Sequence, residues 1–399
     1  MTFHYSKKAA SMRPSIIRGL LKQMADPSLI SFAGGNPDPG AFPVEQIRAI
    51  SDELLRDEAS ATLQYSITEG YPPLIEAGKG YLNREWDVVG EGDGVIITAG
   101  SQQVMDLFSR LVCDEGDLVA VDDPAFLGAL NSFRAYGVRL AGVPLQPDGP
   151  DLAALEAILA GDEKPRFFYT IPNFQNPTGA VTSLEKRKAV YALCTKHGVP
   201  ILEDNPYGEL RIEGEGLPPI KSFDRENAVV YAVSMSKVLS PGMRVAFCVG
   251  QQALLSQMVM AKQGNDVHTN LWGQRVCERF LTRCDVDAHL ARLRGIYREK
   301  ALLMADEMER HLHGKIHFER PKGGMFLWAT LQDGIDVGTF VQKCLENKLA
   351  IVPGSAFFVD ESAPCQSVRL NFSTPTKQQI VQGVSIMEQV LSEMQQGAR

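Results

Sequence analysis

Val229-Val230-Tyr231-Ala232-Val233-Ser234-Met235-Ser236-Lys237 runs from an unbroken apolar stretch into two serines and a lysine. The apolar part has strand length and no polar alternation, the pattern of a strand covered on both faces. A lysine at the mouth of such a strand is partly stripped of water. Desolvation lowers its pKa and frees the amine for nucleophilic chemistry with carbonyl carbons. Seven residues on, after Pro241-Gly242, stands Arg244. A rigid turn followed by Arg suits a phosphate clamp.

The same texture recurs outward from this stretch. Gly94–Thr98, Leu118–Val121, Arg166–Thr170, Pro200–Glu203 and Val245–Val249 also read as strands. Helical patterns separate most of them. One is opened by Ser101, with Val104, Leu107, Phe108 and Leu111 on one face, and another spans Leu184 to His197. Strand–helix alternation predicts a mostly parallel α/β sheet between helices. A single helical pattern runs from Asp285 to His311. After it, short strands at Ile316–Phe318, Met325–Trp328 and Val368–Asn371 alternate with helices, as in a smaller α+β domain. Gly34–Pro43, Pro144–Pro150 and Gly214–Pro219 are rich in Gly and Pro and read as loops.

Ligands of open α/β sheets bind beyond the carboxyl ends of the strands. Three more strand ends carry polar residues here. Glu203 leads into Asp204-Asn205-Pro206-Tyr207, an acid with a phenol three residues on. Asp204 reads equally well as a helix N-cap. Thr170 leads into Ile171-Pro172-Asn173-Phe174-Gln175-Asn176-Pro177-Thr178-Gly179, a turn whose asparagines need no further role to be explained. Thr98 leads into Ala99-Gly100-Ser101-Gln102, a glycine and a hydroxyl at a helix start, where backbone N–H groups and the helix dipole favour an anion.

In combination these segments resemble the aspartate aminotransferase superfamily, the type I fold of pyridoxal-phosphate enzymes. N-P-T-G, D-x-x-Y, S-x-S-K, P-G-x-R and a late Arg369-Leu370-Asn371-Phe372-Ser373 occur in that family's order, over nearly the whole chain. Four segments resemble the branch of 2-aminoadipate and kynurenine aminotransferases: Ser15–Arg18, Phe32–Pro37, Leu63–Ser66 and Pro321–Trp328. The resemblance implies a large domain with a mostly parallel seven-stranded sheet, over residues 51–290. It also implies a segment 1–50 that joins the active site to a small domain, and that small domain at 291–399.

The resemblance further implies pyridoxal 5′-phosphate as cofactor, held by Lys237 as a Schiff base. Asp204 would pair with the pyridine nitrogen, and Tyr207 and Asn176 would bond the ring's phenolic oxygen. Ser101, Gln102, Ser234, Ser236 and Arg244 would surround the phosphate, with Tyr65 reaching the neighbouring subunit's phosphate. Phe126 would stack on the ring. Arg369, Asn176 and the Gly35 backbone would bind the substrate α-carboxylate, and Arg18 its distal group. The implied reaction is ping-pong amino transfer between an amino acid and a 2-oxo acid such as 2-oxoglutarate, in a homodimer. Two positions depart from the family pattern. Phe126 stands where the branch usually has Tyr, so stacking is kept without the hydroxyl, and Ala246 replaces a frequent glycine.

The bulk properties agree with an enzyme of this kind. The chain has 399 residues, 44% hydrophobic and 22% charged, with a formal charge of −8. An acidic balance gives no support for nucleic-acid binding. No apolar run reaches membrane-spanning or signal-peptide length, so a cytoplasmic protein is expected. Seven widely spaced cysteines without C-x-x-C speak for reduced thiols and against a zinc site, and no metal is expected. Other chemistry on the same fold (β-elimination, racemisation, decarboxylation) stays open. A ligand-sensing regulator with an aminotransferase-like body is a third reading. It is disfavoured because only about 30 residues precede Gly34.

Overall fold

The computed structural model describes residues 3–5, 28–332 and 334–397. Its strands, in chain order, begin with β1 (Ile30–Ser31), β2 (Asp93–Thr98), β3 (Leu118–Asp123), β4 (Arg139–Gln146) and β5 (Gly149–Pro150). There follow β6 (Phe168–Thr170), β7 (Ile201–Asn205), β8 (Val229–Ser234) and β9 (Ala246–Gln251). The last five are β10 (Ile316–Phe318), β11 (Phe326–Leu331), β12 (Leu349–Ala350), β13 (Val352–Pro353) and β14 (Ser367–Asn371).

The large sheet has the order β2-β9-β8-β7-β6-β3-β4-β5. Seven of these strands form the expected mostly parallel sheet. The eighth, β5, is a two-residue edge strand that pairs antiparallel with β4. Pro144–Pro150, expected as a loop, is therefore the end of β4 and the hairpin to β5. From β8 through β4 all pairings are parallel, while β9 runs antiparallel between β2 and β8. Reversing twice leaves β2 pointing the same way as β8. Thr98 and Ser234 consequently flank Ala246 in register. The carboxyl ends of β2, β8, β7 and β6 thus share one edge with the amino end of β9. That edge collects the polar segments which are scattered through the sequence.

Burial explains the strand composition. Every residue of β8 is buried, and four of the five in β7. The helix Leu184–His197 is capped by Ser183, whose hydroxyl accepts from Lys186 N, and ends at Gly198 in the left-handed region. Asp285 caps the 26-residue helix Val286–His311 in the same way, accepting from Ala288 N.

The smaller sheet is antiparallel, β10-β11-β14-β13. In it Arg369 of β14 lies opposite Trp328 and Val352. The chain near β1 joins this part of the molecule: Asn371 N donates to Phe32 O at 2.8 Å and Phe32 N to Ala350 O at 2.8 Å. One apolar cluster extends from Ile97 and Phe247 of the large sheet to Leu327 and Phe340 beside the small one. Fully buried side chains of this size contribute about 1.5–3 kcal/mol each. No helix among the described residues is long and apolar enough to cross a membrane.

Candidate active site

Three groups of side chains meet at the shared sheet edge. The first surrounds Gly100. This glycine sits at φ +84° ahead of the helix Ser101–Val112, which no side chain caps. Arg244 is itself left-handed (φ 54°), which turns its guanidinium back across the edge so that Nη2 donates to Ala99 O at 2.6 Å. A Cβ on Gly100 would lie 2.4 Å from Arg244 Nη2, so only glycine admits this approach. Ser101, Ser234 and Ser236 are buried beside it. Ser234 Oγ accepts from Ser236 N at 3.2 Å, and Ser101 Oγ has no hydrogen-bond partner among the described residues. Hydroxyls, a helix start and a guanidinium together make an anion cradle. Gln102 belongs to the same turn, but its amide donates to Gly128 O at 2.9 Å and to Ser132 Oγ.

The second group centres on Asp204, which is 2% exposed. Its Oδ2 accepts from the Tyr169 hydroxyl at 3.2 Å, whereas Oδ1 has no partner among the described residues. Burial pushes its pKa up to about 7, against the pull of the nearby Ser101 and Tyr169 hydroxyls. A buried carboxylate with one free oxygen is costly unless a cation or donor reaches it. The protonated nitrogen of a pyridine ring answers that need.

The third group holds Asn176, Tyr207 and Arg369. Asn176 Nδ2 donates to the Tyr207 hydroxyl at 3.4 Å, and Arg369 Nη1 donates to Asn176 Oδ1 at 2.9 Å. Arg369 Nη2 donates to Ala33 O at 2.6 Å, and Nε has no partner among the described residues. The guanidinium lies over the Phe326 ring at 4.3 Å and over the Phe357 ring at 4.8 Å. Burial lowers its pKa to about 10, so it stays charged at neutral pH. A buried arginine without a carboxylate partner is suited to capture one from solution.

Lys237 lies between these groups. Its Nζ donates to Gly35 O at 2.7 Å. Burial, with added repulsion from Arg244 and Arg369, lowers its pKa to about 8. The amine is thus available in its neutral, nucleophilic form close to physiological pH. Phe126 stands at the start of the helix Leu127–Arg134, half-buried, just after Asp123-Pro124.

One expected position stands apart, and one lies outside the described residues. Tyr65 is 79% exposed and meets the His268 ring edge-on at 5.8 Å. Arg18 lies outside the described residues. Conversely, Tyr169, Phe326, Phe357 and the Ala33 carbonyl belong to the geometry without having been singled out in the sequence. Tyr169 sits inside a strand, where nothing in the pattern marks its hydroxyl. Phe326 and Phe357 read as core residues, and their stacking on Arg369 depends on how the small sheet arranges its own segments around β14.

Residues 28–386 match the family model of aminotransferase class I and II. The chain is 39% identical to the 2-aminoadipate transaminase of Thermus thermophilus, over 95% of this chain and 94% of that one. It is 34% identical to aromatic-amino-acid aminotransferase 1 of Thermococcus litoralis, covering 98% of this chain and 94% of that one. The structure superposes on a crystal structure of the kynurenine aminotransferase of Pyrococcus horikoshii with a TM-score of 0.94, at 34% identity, over 98% and 97% of the two chains. With its motifs, sheet order and strand-end site all in agreement, the chain belongs to the class I and II aminotransferases.

Proposed function

We propose that the chain carries an amino group from an amino acid to a 2-oxo acid, with 2-oxoglutarate as an acceptor, using pyridoxal 5′-phosphate held at the strand-end site. The observation that carries this reading is the free, buried Oδ1 of Asp204 at the same sheet edge as a lysine whose pKa is lowered to about 8. When bound, the cofactor supplies an electron sink for the pair of electrons left on the substrate's Cα.

The chain's own residues do the rest. Lys237 Nζ would hold the cofactor covalently, and its amine, when free, would take a proton from the substrate's Cα and return it. Asp204, paired with the ring nitrogen, regains its negative charge, and Tyr169 holds its second oxygen. Tyr207 and Asn176 orient the ring's phenolic oxygen, and Phe126 covers a ring face. Ser101, Gln102, Ser234, Ser236 and Arg244 bind the phosphate. Arg369 grips the α-carboxylate as a two-pronged donor, with Asn176 fixing its plane and Gly35 lining the same side. Arg18, from the sequence alone, is assigned to the substrate's distal group.

Tyr65 acts across a homodimer interface. Its stretch supports this, because Leu63 at 72% and Ile67 at 50% exposure flank Tyr65 with apolar surface that a partner subunit would cover. The protein works in the cytoplasm, and neither nucleic acid nor membrane is a partner. Residues 51–290 form the cofactor-binding domain, 291–399 the small domain, and 1–50 the segment joining them.

The relatives named for 2-aminoadipate, aromatic amino acids and kynurenine set the donors to try. A donor screen, read as loss of the lysine-bound cofactor's absorbance with donor alone and as formation of glutamate once 2-oxoglutarate is added, tests the reading. Turnover with at least one of these donors is expected. A bound cofactor with no amino transfer to any 2-oxo acid would overturn it.

A further inference from the structure

A cavity of about 330 Å³ lies beside the loop that follows the helix Pro72–Leu82 and the segment 205–219. Lys237, Asp204 and Arg369 do not line it. Its walls include Asn205 of β7 with Tyr231 and Val233 of β8. Successive side chains of a strand point to opposite faces of the sheet. Asp204 and Ser234, next to Asn205 and Val233, therefore face the other way. The cavity and the cofactor site are back to back across the sheet.

Three arginines and three glutamates line the cavity. Arg84, Arg211 and Arg294 line it, with Glu209 between two of them. Arg84 Nη2 is paired with Glu209 Oε1, and Arg294 Nη2 with Glu209 Oε2 at 3.2 Å. Arg294 Nε also donates to Glu209 O at 2.8 Å, and Tyr81 OH to Glu209 Oε1 at 3.0 Å. One carboxylate thus serves two arginines and a phenol. The two other lining carboxylates, Glu85 and Glu213, are solvent-exposed. The Arg211 guanidinium makes no hydrogen bond and no ion pair among the described residues. It lies only over the Phe174 ring, 4.8 Å from the centroid. Burial and the neighbouring Arg294 both depress its pKa, as expected for a cation that lacks its counter-ion. A half-buried guanidinium offers five N–H donors, and none of Arg211's is taken up among the described residues.

We propose that this cavity is a second ligand site, for a small anion bearing a carboxylate or phosphate group, with Arg211 as its anchor, and that its occupancy changes turnover at the cofactor site. Two connections join the sites. Phe174, beneath Arg211, is fully buried with φ 50°, a left-handed conformation rare for a bulky residue. Gly323 and Gly324 hold it there: a Cβ on either would come within 2.4 and 2.6 Å of the Phe174 side chain. Asn176 lies two residues further along that turn. The second connection is Asn205, whose Oδ1 accepts from Gly208 N at 3.0 Å and Asn173 Nδ2 at 3.1 Å. Asn205 and Gly208 bracket the stretch that ends in Tyr207 and follows Asp204. An anion that draws Arg211 off the Phe174 ring loosens the support of the turn that carries Asn176.

Calorimetric titration of the borohydride-reduced holoenzyme with inorganic phosphate, and separately with succinate, tests the site. Wild type, Arg211→Gln and Arg211→Lys are compared, each checked for native cofactor absorbance. Saturable binding of at least one anion is expected, weakened at least about tenfold in Arg211→Gln and less in Arg211→Lys, the range of a charge-assisted hydrogen bond. Which anion binds separates a phosphate site from a carboxylate site. With unreduced enzyme, the binding anion is expected to alter kcat of wild type but not of Arg211→Gln. No binding, or equal binding by wild type and Arg211→Gln, would overturn the site. Binding that leaves kcat unchanged would overturn the coupling.

Discussion

Arg369 donates from Nη1 to Oδ1 of Asn176 at 2.9 Å, across 193 residues of sequence. The same carboxamide donates from its nitrogen to Tyr207 OH at 3.4 Å. One side chain therefore links the group assigned to the substrate carboxylate with the group assigned to the cofactor's phenolic oxygen. Asn176→Ala is expected to raise KM for every amino donor and also to lower kcat, with a combined loss in kcat/KM of about 1.5–3 kcal/mol, the scale of a hydrogen bond to a charged group. Arg369→Ala is expected to cost more, because the carboxylate loses its counter-charge. Steady-state kinetics with one aromatic and one acidic donor checks both. An Asn176→Ala enzyme with KM raised and kcat intact would show that the link to Tyr207 has no part in catalysis.

Asp204 is expected to matter more for rate than for binding. An amide at this position cannot stabilise a protonated ring nitrogen. Asp204→Asn should keep the cofactor partly bound and lose about 3–4 kcal/mol in the barrier, roughly 10²–10³-fold in kcat. Single-turnover measurements with saturating donor read this directly. A rate within about tenfold of wild type, only ~1.4 kcal/mol, would remove Asp204 from its role.

Gly100 gives a steric test of the phosphate end. A methyl there meets Arg244 Nη2 at 2.4 Å and must displace it from Ala99 O. Gly100→Ala is expected to weaken cofactor affinity of the apoprotein by about 1–3 kcal/mol, the range of a local overpacking. Gly92→Ala is the control. Gly92 has a similar φ of +83° but nothing within 4 Å of its added methyl, so it shares the backbone strain alone. Equal cofactor affinity in the two variants would contradict the Arg244 clamp.

The strand-end segments carried most of this site in the sequence, because each couples a buried apolar run to residues that a plain turn does not need. Lys237 after two serines and Arg244 after Pro241-Gly242 were legible for that reason. What stayed hidden depends on partners far along the chain. Tyr169 matters only because β6 and β7 run parallel, which brings its hydroxyl to Asp204. Phe326 and Phe357 matter only because β14 places Arg369 against them. In the fold, β4 escaped notice because Arg139–Gln146 mixes Gly142 and Pro144 with just one β-branched residue, Val143. Its pairing with β3 is what makes it a strand. The hairpin to β5 turns at Gly149, φ +123°, where Gly and Pro look like loop composition.

The lysine's depressed pKa has a measurable sign. In the cofactor-free protein Lys237 falls from the usual 10.5 to about 8, chiefly through burial. The unfolded chain then binds the proton more tightly than the folded one, so this residue costs stability below about pH 8. The cost fades as pH rises toward 10.5. Acylation of Lys237 in the apoprotein is expected to follow a titration centred near pH 8, ahead of the exposed lysines. Site-resolved mass spectrometry reads it. A midpoint near 10.5 would mean that the amine is not desolvated.

The central claim is that Lys237 carries the cofactor. Reducing the holoenzyme with borohydride fixes the cofactor to whichever amine holds it, and peptide mapping identifies that amine. The account predicts one phosphopyridoxyl group per chain, on Lys237, with no label and no turnover in Lys237→Ala. A phosphopyridoxyl group on any other lysine, or unlabelled Lys237 in active enzyme, would contradict it.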